Sequence, residues 1–107
     1  MAELPASVAA YFGAEKAGDE HALARCFAEN AVVQDEGVRH DGVTAIRSWW
    51  RAAKAKYRHV ATPVAVREQD GKVVVRTSVT GDFPGSPAEL DFTFELAGEK
   101  IRDLEIH

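Results

Sequence analysis

A chain of 107 residues has the length of one domain, enough to withdraw roughly two thirds of its unfolded surface from water without a covalent staple. Apolar residues at 46% and charged residues at 28% exclude a disordered or fibrous chain. Thirteen basic against seventeen acidic residues leave a net charge of −4 with no basic cluster, which argues against nucleic acid as a partner.

The opening "MAELPASVAAYF" lacks the basic and apolar regions of a leader, and no run reaches the roughly 18 apolar residues of a membrane span, so a cytoplasmic protein without a membrane partner is expected. Pro5 to Ala17 reads as a first helix, with Leu4, Val8, Tyr11 or Phe12 and Glu15 at helical spacing and Gly18 closing it. Asp19 stands where an N-cap would, before "EHALARCF", whose Ala22, Leu23, Cys26 and Phe27 form a short apolar stripe. Cys26 is the only cysteine, and its setting suits a small buried helix residue better than a nucleophile. "AVVQDEGVRHDG" follows as a strand, a turn at Glu36-Gly37 and a short return. In "VTAIRSWWRAAKAKY", Ile46, Trp49, Trp50, Ala53 and Tyr57 share one helical face, opposite a solvated face of Arg47, Arg51, Lys54 and Lys56.

From Arg58 the period becomes that of strands: "RHVATPVAVREQ", a turn at Asp70-Gly71, "KVVVRTSVTGDF", a "PGSP" loop, "AELDFTFEL", a turn at Ala97-Gly98-Glu99, and "KIRDLEIH". Pro63 argues for an edge, a bulge or a late start in the first of these. Helices first and a meander afterwards predict one α+β domain over residues 1–107, with helices on one face of a curved antiparallel sheet and an open-ended cone between them.

This order, together with "YFGAEKAGDEHALARCFAENAVVQDEG" and "GVTAIRSWW", resembles the nuclear transport factor 2-like superfamily over about Val8 to Ile106, and more closely its SnoaL-like and ketosteroid-isomerase-like branch. The resemblance implies a cystatin-like α+β roll, a cone-shaped sheet wrapped around three N-terminal helices. In ketosteroid isomerases a Tyr lies eight residues before the Asp of "AGD" and the catalytic Asp sixteen after it; Tyr11 and Asp35 stand at those distances from Asp19. The resemblance therefore implies Asp35 as general base and Tyr11 as hydrogen-bond donor to an oxyanion. A departure accompanies the match. Where the isomerases keep a protonated acid, two residues before the Phe-x-Phe strand, this chain has Leu90, and Asp91 falls on the other face if Phe92, Phe94 and Leu96 point inward.

Read from the residues alone, Asp35 on the inward parity with Val33 would lose hydration and gain basicity, although an Asp two residues before Gly also commonly ties a turn. Tyr11 fits a ligand hydrogen bond or an ordinary core aromatic equally. Phe27, Trp49, Trp50, Tyr57, Phe92 and Phe94 are core or pocket wall, and together they imply that any cavity is apolar. His59 alternates with Tyr57 and Ala61 and would face that cavity as a second acid/base group or as a structural histidine. Arg102 shares parity with Leu104 and Ile106, to pair with Asp35, bind an acidic substrate or reach solvent.

No short His/Cys/carboxylate spacing and no Gly-rich phosphate loop is present, so neither metal nor cofactor is expected. Val60, Val64 and Val66 on the outer sheet face suggest a homodimer through that face. The expected function is cofactor-free acid/base catalysis on a small apolar carbonyl or hydroxylated compound, as an isomerase, a polyketide-cyclase-like enzyme or a dehydratase. The alternative is a ligand-binding or dimerising module without catalysis.

Overall fold

Pro5 has no N–H to leave unpaired, and its φ of −55° sets the chain into α1, Ala6–Ala17. Gly18, at φ 71°, ends that helix in the left-handed conformation, which suits a residue without Cβ. Asp19 then caps α2, Glu20–Arg25, its carboxylate accepting from the Ala22 N–H at 3.0 Å. The computed structural model describes residues 3–107. The chain continues as β1 Phe27–Asp35, β2 Val38–Asp41, α3 Gly42–Tyr57, β3 Val60–Gln69, β4 Lys72–Thr80, β5 Ala88–Ala97 and β6 Lys100–Ile106.

One six-stranded sheet runs in the order β2-β1-β6-β5-β4-β3. Glu36-Gly37 and Asp70-Gly71 take positive φ at both positions, the backbone of the tight hairpin turns expected there. All pairings are antiparallel except β1 with β6, which is parallel. The expectation of a wholly antiparallel sheet came from turn chemistry, which speaks only for consecutive strands. β6 closes on β1 after the whole meander, and no turn joins those two.

The sheet's concave face and the helices enclose an aromatic core in which Tyr11, Phe12, Phe92 and Phe94 meet at centroid distances of 5.2 to 6.4 Å. Phe27 joins that core from β1 rather than from α2, because the strand begins four residues before the apolar run that announced it.

Two irregularities correct the strand parities. Pro63 pairs with Thr77 and Ala65 with Arg76, so Val64 is an extra residue and Val66 turns inward opposite Val75. The exposed outer valines of β3 are Val60 and Val64, while Arg67, Arg76, Glu89 and Asp91 form an ion-pair network nearby on the outer face. The apolar outer face expected from three valines is thus smaller and edged with charge. In β6, Leu96 pairs with Ile101 and Glu95 with Asp103, which leaves Arg102 as the extra residue. Ile101 and Leu104 both point into the core as a result, and Arg102 points out.

The loop after β4 docks on the end of α3, with the Asp82 N–H donating to the Tyr57 carbonyl at 2.6 Å. A Cβ on Gly81 would lie 2.7 Å from that same carbonyl oxygen and 3.1 Å from His59 Cα. Backbone cannot swing aside as a side chain does, so Gly81→Ala is expected to lower stability in urea unfolding by about 1–3 kcal/mol. Gly13, in α1 with nothing near its missing Cβ, serves as the control: Gly13→Ala is expected to raise stability by about 0.5–1 kcal/mol.

Candidate functional site

Helix α3 crosses the sheet without filling its concave end, and the space left is a cavity of about 550 Å³. Its floor is apolar, from Ala61 on β3, Val79 on β4, Leu90 and Phe92 on β5 and Ile106 on β6. Trp49, Ala53 and Tyr57 wall it from α3, Tyr11 closes it from α1, and Phe83, Pro84 and Lys56 stand at its rim.

Asp35 ends β1, opposite Val38 across the hairpin and beside Ile106, with Val33 two residues earlier fully buried. Period-2 alternation therefore aims the carboxylate inward. Its Oδ2 accepts a hydrogen bond from Trp49 Nε1 at 3.0 Å. The indole donor orients the carboxylate at the cavity wall, and Trp49 itself is steadied by His40, at a centroid distance of 5.9 Å.

Tyr11 is 2% exposed and lines the same cavity. Burial, then the neighbouring charges of Glu15, Asp35 and Cys26, raise its pKa well above that of an ordinary phenol. The hydroxyl thus keeps its proton and is available as a donor.

One turn of α1 beyond Tyr11, Glu15 is completely buried. Its Oε1 accepts from Lys54 Nζ at 2.7 Å and from His59 Nε2 at 3.0 Å, and its Oε2 from the Ala61 N–H at 2.9 Å. Lys54 also donates to the His59 carbonyl. Burial pushes the Glu15 carboxyl pKa up, but the hydrogen bonds from His59, Lys54 and Ala61, with the charge of Lys54, outweigh it and hold the pKa below the ordinary value. Lys54, expected on a solvated helix face, is thereby drawn inward, and its Nζ also lies 5.5 Å from the Trp50 ring centroid.

A wider, shallower groove of about 700 Å³ lies between α1, α2 and the β5–β6 turn, bordered by Ala10, Gly13 and Cys26. Burial pushes the Cys26 thiol up, and its Sγ donates to the Ala22 carbonyl at 3.4 Å, so both burial and this hydrogen bond favour the protonated thiol. No group of three or more metal-ligating side chains occurs among the described residues, and no helix among them is long and apolar enough to cross a membrane.

The SnoaL-like domain family matches residues 8–104. This chain belongs to that family. A proposed polyketide cyclase from Sinorhizobium meliloti is 45% identical, with 97% of this chain and 95% of that one superposed at a TM-score of 0.94. A protein of ketosteroid isomerase-like fold from Catenulispora acidiphila, solved with trimethylamine, shares 20% identity over 98% of this chain and 86% of its own, at a TM-score of 0.84. A cystatin-fold protein from Novosphingobium aromaticivorans shares 21% over 94% of each chain, at 0.77. No curated protein matches this chain.

In this SnoaL-like domain Asp35, Tyr11, Trp49, Tyr57, His59 and Phe92 meet at one cavity. Of the aromatics that could be core or pocket wall, Phe27, Trp50 and Phe94 lie in the core and outside the cavity lining. Of the three roles open to Arg102, pairing with Asp35, binding an acidic substrate or reaching solvent, the structure shows the last: it bonds Glu95 at 2.8 Å on the surface, because the β6 bulge breaks its parity with Leu104. Leu90 lines the cavity and Asp91 faces out to Arg76 and Arg67, as the Phe92 and Phe94 parity requires. Glu15 and Lys54 are site residues that the sequence does not single out. The signal was a carboxylate at an apolar helical position, with no apparent cation to meet it.

The Glu15 carboxyl is more acidic folded than free, so its contribution to stability is present above its ordinary value of 4.5 and is lost as pH falls through the lower folded value. Glu15→Gln, which leaves the partly buried Lys54 without its counter-ion, is expected to cost about 1–3 kcal/mol at neutral pH. Urea titrations repeated at falling pH should show the gap between the two proteins narrowing once pH drops below the ordinary Glu value.

Proposed function

We propose that this protein binds a small apolar carbonyl compound in the cavity and moves a proton on it without a cofactor, using Asp35 as general base and Tyr11 as hydrogen-bond donor. The observation that carries the reading is the Asp35 carboxylate at an apolar cavity, with one oxygen engaged by Trp49. The other oxygen takes a proton from carbon beside the carbonyl, and the Tyr11 hydroxyl meets the negative charge that develops on the carbonyl oxygen. Isomerisation, aldol-type ring closure and dehydration all begin with this step. The cyclase description of the Sinorhizobium meliloti relative, at 45% identity, supports the same opening chemistry.

Leu90 favours a second reading, a binding protein without turnover. With an apolar side chain at that floor position, Tyr11 is left without a second acid beside it, and a single donor stabilises an oxyanion less than two.

Incubation of acetophenone or cyclohexanone with the protein in D₂O, followed by NMR, decides between them. Under the catalytic reading the wild type accelerates exchange of the protons beside the carbonyl, and Asp35→Asn lowers that rate by about 10²–10⁴, the usual contribution of a positioned base. Tyr11→Phe should lower it less, by about 10–10². Ligand-induced shifts with no exchange in the wild type would refute the catalytic reading and leave the binding one.

A further inference from the structure

Asp35 stands on β1, second in the sheet, and His59 immediately precedes β3, the sixth and last strand. The cavity floor between them crosses β6, β5 and β4, so the two polar groups occupy opposite ends of an apolar trough. His59 is clamped on three sides. Its carbonyl accepts from Lys54, the N–H of Ala61 two residues on donates to Glu15 Oε2 at 2.9 Å, and its own Nε2 lies 3.0 Å from Glu15 Oε1.

An ionised carboxylate only accepts, so Nε2 carries a proton toward Glu15, and a neutral imidazole held this way has its lone pair on Nδ1. No hydrogen bond engages that Nδ1, yet Trp50 Nε1 is the buried side-chain nitrogen or oxygen without a partner among the described residues. Nδ1 is therefore reached from outside, and His59 is a cavity-lining residue. Glu15 does not need the imidazole for its charge, which Lys54 already matches. The arrangement orients an acceptor rather than neutralising an acid.

We propose that His59, positioned by Glu15, is a second ligand anchor at the end of the cavity remote from Asp35, and that it selects elongated ketones bearing a hydroxyl at the far end. The hydroxyl donates to Nδ1 while the carbonyl lies at Tyr11 and Asp35. The inference rests on the cavity being the ligand site, as proposed above, and not on Asp35 acting as a base. A methyl ether in place of the hydroxyl has no proton to give, and a buried acceptor left unpaired lowers affinity.

The test uses 4-hydroxyacetophenone, 1-(4-hydroxyphenyl)propan-2-one and 4-hydroxychalcone, in which none, one or two carbons separate the carbonyl from the hydroxyl-bearing ring, each against its methyl ether, in calorimetric titrations. In the wild type at least one hydroxy ketone should bind about tenfold tighter than its ether, equivalent to about 1.4 kcal/mol. His59→Phe keeps a ring but has no acceptor, while Lys54 and the Ala61 N–H still serve Glu15; with a wild-type-like ¹H–¹⁵N spectrum it should lose that preference to within about twofold. Asp35→Asn should keep the preference even where proton exchange is abolished, which separates this anchor from the catalytic reading. Equal affinities within every pair, a preference that survives in His59→Phe, or no binding of any of the compounds would overturn the proposal.

Discussion

The burial of Glu15 is the constraint on which the arrangement depends. An ionised carboxylate taken out of water costs several kcal/mol unless its oxygens are filled, and here both are. The donors come from α3 and from the start of β3, so satisfying one side chain of α1 fixes three elements at one point. An apolar residue at this position would ask nothing so specific of its neighbours. The charge instead demands that Lys54 turn inward, that the chain leave α3 through Arg58 at φ 48°, and that β3 begin with its Ala61 N–H aimed at the helix.

The cavity follows from that geometry. α3 is tied near its C-terminus through Lys54 to Glu15 of α1 and the His59 carbonyl, and at its middle through the Trp49 bond to Asp35 of β1, and between these points its small residues Ala52 and Ala53 leave the floor uncovered. The two bonds that secure the helix are also the bonds that orient the polar groups of the cavity. Structural support and chemical placement are supplied by the same side chains, so neither can be altered without the other.

Much of the fold could be read in advance because its signals are local. Pro5, Gly18, Asp19 and the Glu36-Gly37 and Asp70-Gly71 turns act through backbone conformation over a few residues, and each acts where the sequence placed it. The placement of Asp35 and Leu90 rested on strand alternation, which is also local, and it held because β1 near Asp35 and β5 near Leu90 run regularly. Alternation failed at Val66 and Arg102, where an extra residue enters the strand, and nothing in "TPVAV" beyond the proline, or in "KIRDL", marks the insertion. The parallel closure of β6 on β1 and the meeting of Glu15 with Lys54 and His59 involve residues distant in sequence. A charged residue on an apolar helical stripe said that a partner was needed. It did not say which one.

Trp49 and Lys54 belong to a single helix, five residues apart, about 7.5 Å along its axis. One engages the carboxylate at one end of the trough and the other the carboxylate that steadies the imidazole at the opposite end. α3 therefore acts as a gauge bar whose stiffness sets the spacing between the two ends. A loop in its place could stretch to suit guests of different length; a hydrogen-bonded helix cannot, so tolerance for a longer or shorter guest requires the whole bar to tilt, and tilting it loosens both ends together.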